Sequence, residues 1–345
     1  MDGRRGASLG AATTKKRKIL SIDGGGVKGA FPAAFLAKVE ESTGKRIVDH
    51  FDLIAGTSTG GIIALGLGLG LSAHEILRFY EEHGPRVFGQ AGDRGRLWSR
   101  VTLLMERQIR RARELVGPAY NPSELRTALN VVFGAKRVAD SVVRLVIPAY
   151  SIGARSVYVF KTAHHERFEV DHKQKAVDVA LATAAAPTYF PAHALADGAL
   201  LVDGGVCARN PAGIAAVEAV SVLGWPGESL RILSLGCTEP LYTCPPRGGR
   251  LDFALSLNTL FQQGQSVASL GTAKLLCGHT ESRPRLFRHS LDVAEGKFRL
   301  DSVSAISELA GLGATMARTA LPALREVFLK EPAELFVPFH RMKAA

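Results

Sequence analysis

The sequence predicts an α/β fold built around a parallel β-sheet. Short apolar runs typical of buried strands, the first at 18–22, alternate with longer segments of helical periodicity. Two early strands run directly into glycine-containing turns, at 23–29 and 56–60, and each turn leads into a helical segment. The order strand, loop, helix, strand, turn, helix is typical of parallel sheets. With 345 residues, 46% of them hydrophobic, the chain can bury a substantial core.

The individual elements follow from periodicity and from local start and stop signals. The first helix places Phe31, Phe35 and Val39 on one face. Proline ends the alanine-rich helix at Pro187, and Asn121-Pro122 begins another. In chain order we predict a strand at 18–22, a helix at 30–42, a strand ending at 55 with a helix directly after it, a helix at 72–83, a helix at 121–133, strands at 142–151 and 156–162, a helix at 178–186, strands at 200–202 and 231–236 around a helix at 212–223, and a mainly helical remainder.

No linker clearly divides the chain, so residues 17–345 are predicted to form one domain, with its core at 17–240 and a helical C-terminal part at 250–345. Residues 1–16 are predicted to be a disordered tail and carry no signal peptide. Residues 84–118 break the α/β rhythm, and this predicted insertion fits either a membrane-facing lid or an ordinary surface helix. No apolar run approaches the roughly 20 residues that span a bilayer. We therefore expect a cytoplasmic protein.

The charge balance indicates an anionic partner. The formal net charge is +11 and the pI is about 9.7, which suits phospholipid headgroups, nucleotides or nucleic acid. The four cysteines show neither a CxxC pair nor zinc-finger spacing, so we expect reduced thiols.

A candidate nucleophile lies in the turn after the second strand. Gly56-Thr57-Ser58-Thr59-Gly60 has the G-x-S-x-G spacing of a nucleophile elbow, a sharp turn from strand to helix. The glycines are needed because the turn crowds its own backbone two residues before and after the serine. We therefore read Ser58 as a nucleophile with its hydroxyl held clear of the sheet.

An acid is a better candidate than a histidine to activate Ser58, since a serine needs a base at neutral pH. None of the ten histidines directly follows an apolar strand. Asp203 does, and Gly204 and Gly205 after it allow another group to approach closely. Because active sites of open α/β sheets gather at the carboxyl ends of strands, we expect Asp203 and Ser58 at the same edge. A simple Asp-Gly-Gly turn is the competing interpretation.

The loop Asp23-Gly24-Gly25-Gly26-Val27-Lys28-Gly29 is a candidate anion site. Gly24, Gly26 and Gly29 satisfy G-x-G-x-x-G between a strand and a helix, which also fits a nucleotide-binding module. Backbone N–H groups in such a loop can bind a phosphate or the oxyanion of an acyl-transfer intermediate. The serine elbow favours the oxyanion, because a dinucleotide fold has no need of it. Lys28 adds positive charge.

These three motifs in this order resemble the patatin-like phospholipases, which carry D-G-G-G-x-[RK]-G, G-x-S-x-G and a later D-G-[GA]. The resemblance covers about residues 17–240 and includes the segment 182–190. It implies a three-layer fold with a central, mostly parallel sheet flanked by helices. It also implies a Ser58–Asp203 dyad, an oxyanion hole formed by the amides of Gly24, Gly25 and Gly26, and no metal. Arg209-Asn210-Pro211 departs from the usual Asn-Asn-Pro, which affects local packing rather than chemistry.

The chain is also similar to a narrower bacterial group of anti-phage effectors, which cyclic di- or oligonucleotides activate. That similarity implies a membrane phospholipid substrate at the inner membrane and a cyclic dinucleotide activator. We expect no nucleic-acid polymer as partner, and the sequence leaves open whether the chain is a monomer or a homodimer. Basic residues at 84–118 or 283–299 are the candidates for binding the activator. The alternatives are a nucleotide-binding module and a storage or scaffold protein with a vestigial site.

Overall fold

A computed structural model of the chain describes residues 15–88, 117–240, 250–294 and 297–342. The strands are β1 (Arg17–Ile22), β2 (Leu53–Gly56), β3 (Arg144–Ser151), β4 (Ser156–Lys161), β5 (His193–Ala194), β6 (Leu200–Asp203), β7 (Leu230–Pro240) and β8 (Leu286–Val293). The helices are α1 (Ala30–Thr43), α2 (Thr59–Gly68), α3 (Ala73–Phe88), α4 (Pro122–Phe133), α5 (Ala176–Thr183), α6 (Gly205–Ala208), α7 (Ala212–Val217), α8 (Arg250–Cys277) and α9 (Ile306–Val327). No helix among these residues is long and apolar enough to cross a membrane.

The strands form one mostly parallel sheet, as predicted. The strand order is β5-β6-β3-β2-β1-β7-β8, with β4 paired to β3. The pairs β3–β2, β2–β1, β1–β7 and β7–β8 are parallel, and β4, β5 and β6 add antiparallel pairs at one side. The predicted strands at 142–151 and 156–162 pair with each other in an antiparallel arrangement.

Helices cover both faces of the sheet, which gives the predicted three layers. Side chains of a strand alternate between the two faces, so each central strand contributes to two separate cores. Leu20 and Ile22 of β1 belong to the larger core, with α1, α2, α3 and α9. Ile19 of the same strand belongs to the smaller core, with α7 and α8.

Two predicted boundaries differ from the structure. Helix α3 continues through Pro85 to Phe88, so the first five residues of the predicted insertion at 84–118 are helical. The helix tolerates Pro85 one turn from its end because Val87 is buried and Gly84 packs against Ile306. Most of that insertion, and almost all of the predicted tail at 1–16, lie outside the described residues.

The C-terminal part is not wholly helical, which corrects the prediction for 250–345. β8 adds a parallel strand to the edge of the sheet beside β7. Its side chains lack the alternation of a half-buried strand, because Arg288 and His289 lie in its middle.

Candidate active site

The backbone at Ser58 has the geometry of a strained strand-to-helix turn. β2 ends at Gly56, α2 begins at Thr59, and Ser58 between them has φ 56° and ψ −122°. A residue with a side chain rarely adopts a positive φ, and backbone strain of this kind occurs mainly at functional sites. A Cβ at Gly60 would lie 2.2 Å from the carbonyl oxygen of Ile22, and one at Gly56 would lie 2.0 Å from that of Gly60. The G-x-S-x-G pattern is therefore a steric requirement of this turn.

Ser58 and Asp203 are in direct contact. The Ser58 hydroxyl donates a hydrogen bond of 2.6 Å from Oγ to Oδ2 of Asp203. The other carboxylate oxygen of Asp203, Oδ1, accepts the Gly205 N–H at 2.6 Å. Both side chains are buried, with Ser58 9% and Asp203 5% exposed. Among the described residues, no histidine forms a hydrogen bond with either side chain.

Asp203 reaches Ser58 by a different route from the one that we predicted. β2 pairs with β3 at Arg144–Val146, whereas β6 runs antiparallel to β3 and pairs with it at Ala149–Ser151. Because β4 occupies the other edge of β3, β2 and β6 share one edge, and β6 lies beyond the end of β2. Asp203 therefore approaches Ser58 from an antiparallel strand, not from a parallel neighbour of β2.

Burial changes the acid–base character of Asp203. Removal from water raises its pKa to about 6, against the lowering effect of the hydrogen bonds from Ser58 and Gly205. A carboxylate with this pKa is ionised at neutral pH and is more basic than an exposed aspartate. It can therefore accept a proton from Ser58.

Thr183 holds the backbone of Ser58, a contact that the sequence did not indicate. Its Oγ1 accepts the Ser58 N–H at 2.9 Å and donates to the carbonyl of Pro148 at 2.6 Å. Two backbone carbonyls of the same segment also accept hydrogen bonds. The Gly204 N–H donates to the Thr183 carbonyl, and the Asp203 N–H donates to the Ala185 carbonyl. One short segment therefore positions both members of the dyad. Its only signal in the sequence is its similarity to the family segment at 182–190.

The glycine loop lies beside Ser58, but its first amide is occupied. The Gly24 N–H donates to the carbonyl of Arg209 at 3.0 Å, and Arg209 Nε donates to the Gly24 carbonyl at 3.2 Å. This bond contradicts the prediction that the Gly24 amide belongs to an oxyanion hole. No described group accepts the N–H of Gly25 or Gly26, so these two amides remain available. Arg209, which replaces the usual asparagine, therefore holds the loop in place.

A buried ion pair anchors the start of this loop to β8. Arg288 donates from Nη1 to Oδ1 of Asp23 at 2.9 Å and from Nη2 to Oδ2 at 2.6 Å. It also donates to Ser234 Oγ at 2.9 Å and pairs with Glu239. Although burial opposes its charge, the carboxylates of Asp23 and Glu239 raise the Arg288 pKa. Bidentate pairing of this kind fixes orientation as well as distance.

Lys28 has a different environment from the one expected for a free cation near the loop. It lies in the short 3-10 turn Gly26–Gly29 and is 6% exposed. Burial and the nearby charge of Arg209 lower its pKa to about 8. It is not among the residues that line the cavity described next.

A cavity of about 380 Å³ opens over the dyad. Ser58, Asp203 and the glycines of the loop form its polar end. Its walls are apolar and include Ile62, Phe79, Val87, Phe88, Leu125 and Phe190. A cavity of this kind, apolar with a few convergent polar groups, is typical of a small-molecule site and suits an acyl chain. Among the described residues, no group of three or more His, Cys, Asp or Glu could hold a metal ion.

Comparison with known proteins identifies relatives across this region. A family model described as patatin-like phospholipase matches residues 20–216. A "cGAMP-activated phospholipase" of Pseudomonas aeruginosa is 36% identical over 223 residues, 63% of this chain and 61% of that protein. A protein of the same name from Escherichia coli is 35% identical, over 61% of this chain and 58% of its own length. The chain thus matches about three fifths of the length of these relatives. The solved structure of VipD from Legionella pneumophila is also similar, at 11% identity and a TM-score of 0.49, covering 90% of this chain and 67% of VipD.

The ion pair that anchors the loop yields a stability prediction. Arg288→Met leaves the Asp23 carboxylate buried without its partner, so we expect the free energy of unfolding to fall by about 3–5 kcal/mol. Chemical denaturation measures this change. Arg283→Met is the matched control, because Arg283 is exposed and its side chain makes no hydrogen bond or ion pair with the described residues. Equal stability of the two variants would show that the ion pair does not hold the loop.

Proposed function

The chain belongs to the patatin-like phospholipases, and we propose that it is a lipid acyl hydrolase that cleaves fatty-acyl esters of membrane phospholipids with a Ser58–Asp203 dyad. The observation that carries this proposal is the 2.6 Å hydrogen bond from Ser58 to Asp203 at the polar end of an apolar cavity. A nucleotide-binding module is less well supported, because the glycine loop faces a serine and an apolar wall.

The first half of the reaction is the transfer of the acyl group to Ser58. Asp203 Oδ2 takes the hydroxyl proton as Ser58 Oγ bonds to the carbonyl carbon of the ester. The tetrahedral intermediate then collapses, the bond to the leaving oxygen breaks, and Asp203 returns the proton to that oxygen. A lysolipid leaves, and the fatty acyl group remains as an ester of Ser58.

The amides of Gly25 and Gly26 stabilise the charge that develops on the carbonyl oxygen. Their donors are held in place by the Arg209 and Asp23–Arg288 contacts, so they need little reorganisation as the charge forms. Preorganised donors of this kind contribute about 3–4 kcal/mol each to transition-state stabilisation.

The second half of the reaction is hydrolysis of the acyl-enzyme. Asp203 accepts a proton from a water molecule, whose oxygen bonds to the acyl carbon. Collapse of the second intermediate breaks the bond to Ser58 Oγ, which regains the proton from Asp203. The fatty acid leaves, and the dyad returns to its starting state. Ser58, Asp203, backbone amides and water carry every step.

The relatives suggest that a cyclic dinucleotide controls this activity. Proteins 35–36% identical to the chain are named cGAMP-activated phospholipases. We include in the proposal an activator of that class and action at the inner face of the bacterial membrane. The net charge of +11 suits both anionic partners, the activator and the lipid surface.

Loss of either dyad residue should remove the activity. Ser58→Ala and Asp203→Asn should each lower kcat/KM for ester hydrolysis by about 10²–10⁴-fold or more, because one lacks the nucleophile and the other the base. Fatty-acid release from phospholipid vesicles measures this. Asp292→Asn, at an exposed position of β8, is the control and should keep full activity. Full activity of Asp203→Asn would show that Asp203 is not the base and that another residue activates Ser58.

The pH dependence should report the Asp203 carboxylate. Its raised pKa of about 6 means that the carboxylate is ionised above pH 6 and protonated below it. Because the base must be ionised to accept the Ser58 proton, kcat/KM should fall about tenfold per pH unit below pH 6. A soluble chromogenic ester is the substrate of choice, since vesicle charge does not then change with pH. A flat profile between pH 5 and 7 would contradict Asp203 as the base.

Activation should appear as a rate difference in one assay. We expect vesicle hydrolysis to be faster with cGAMP, or with another member of a cyclic dinucleotide panel, than without it. Ser58→Ala with the same panel is the control for contaminating lipases. Equal rates across the panel would remove the regulatory part of the proposal and leave the hydrolase reaction intact.

A further inference from the structure

Helix α8 exposes large apolar side chains along its outer face. Leu257, Phe261, Val267 and Leu275 are 40%, 59%, 70% and 84% exposed. From Leu257 to Ala273 the helix contains no Asp, Glu, Lys or Arg, although 22% of the whole chain is charged. Helices that face water normally carry charged residues on that side. An uncharged face with exposed leucine and phenylalanine indicates a surface that another molecule covers.

Polar side chains on the inner side of α8 hold this helix to the rest of the chain. Gln265 Nε2 donates to the Val206 carbonyl at 2.9 Å, and Ser269 Oγ donates to the Asn210 carbonyl at 2.7 Å. The Gly213 N–H donates to Ser269 Oγ at 2.8 Å. These bonds fasten residues 206–213, which follow directly after Asp203. The inner face is therefore bonded within the chain, whereas the described residues leave the outer face uncovered.

The outer face has the spacing of a helix-pairing seam. Alternating steps of four and three residues connect Leu257, Phe261, Gly264, Ala268, Gly271 and Leu275. This is the heptad spacing with which two helices pack side by side. A Cβ at Gly264 or Gly271 would meet no atom of the described residues within 4 Å. The seam thus has a shallow, open centre between large residues.

The same seam matches its own copy in the antiparallel direction. Its positions are symmetric about residue 266, so an antiparallel copy places Phe261 opposite Gly271, Gly264 opposite Ala268, and Leu257 opposite Leu275. Each Phe261 then faces the space left by a glycine, and no like charges meet across the two-fold axis. Isologous contacts require this self-complementarity, in which residue i meets j and j meets i.

The course of the helix favours a second copy over a lipid surface. Asn258 and Gln262 line the cavity at the carboxyl ends of β1 and β2. Leu276 contacts Gly227, just before the amino end of β7, so the helix runs to the opposite end of the parallel strands. The seam from Leu257 to Leu275 is therefore about 27 Å long and runs along the side of the molecule. A membrane that faces the cavity mouth would reach only its first residues.

We propose that the outer face of α8 is a two-fold, antiparallel interface with a second copy of this chain. The partner braces the helix that fastens residues 206–213 behind Asp203 and lines the cavity with Asn258 and Gln262. Assembly and the active site therefore share one structural element. The proposal rests on the surface of α8 and does not depend on the proposed reaction.

The experiment is sedimentation velocity across a concentration series of the full chain. We expect a dimer, and we expect Phe261→Glu and Leu275→Glu each to weaken self-association by about tenfold or more. Phe339→Glu and Leu335→Glu are the matched controls, because these residues are 64% and 82% exposed and belong to the segment after α9, not to α8. Both controls should remain dimeric. A wild-type chain that is monomeric at every concentration would overturn the proposal, as would a dimer that neither α8 variant weakens.

A mixing experiment tests the antiparallel register. Gly271→Lys should weaken the dimer alone, and an equimolar mixture with Phe261→Glu should restore it, because residue 261 of one copy meets residue 271 of the other. Failure to restore the dimer would overturn the register.

Flotation with anionic phospholipid vesicles tests whether α8 binds a lipid surface instead of a second copy of the chain. If Phe261→Glu and Leu275→Glu abolish flotation while the dimer persists, α8 contacts lipid and the proposal is wrong.

Discussion

The hydrogen bond between Ser58 and Asp203 depends on how closely three backbone segments approach one another. The elbow, the glycine loop and the end of α5 surround Ser58, and glycine is required at several of the closest contacts around them. A Cβ at Gly24 would lie 3.1 Å from the Ser58 Cβ, and one at Gly204 would lie 2.3 Å from the Pro148 carbonyl oxygen. The motif glycines are therefore needed to let neighbouring backbone segments come close together, as well as to form the turns. The 2.6 Å bond between the dyad residues follows from this close packing.

The same packing supplies the chemistry. Close approach excludes water from Asp203, and exclusion of water raises its pKa to about 6; in the proposed reaction this carboxylate takes the role that a histidine usually has. The donors for a developing oxyanion sit on a loop that is fixed at one end by Arg288 and at Gly24 by Arg209. Both arginines come from distant parts of the sequence. The site is thus rigid because the sheet joins these parts.

The sequence allowed accurate prediction of features that depend on neighbours along the chain. The elbow at Ser58, the glycine loop and most helix limits follow from local spacing, and the fold class follows from their order. Three features depend on contacts between distant segments, so local patterns could not reveal them. The Arg209 carbonyl accepts the Gly24 N–H from 185 residues away, β6 runs antiparallel to β3, and β8 pairs with β7 and brings Arg288 to Asp23. The hydrogen bonds that α8 makes to residues 206–213 likewise join segments that are distant in the sequence.

The central claim is that Ser58 is the nucleophile and carries the acyl group during turnover. The most direct test is to react the protein with an alkyl fluorophosphonate and to map the adduct by peptide mass spectrometry. The account predicts one adduct on the peptide that contains Ser58, and none in Ser58→Ala. An adduct on another residue, or fatty-acid release that continues unchanged after Ser58 is fully modified, would contradict it.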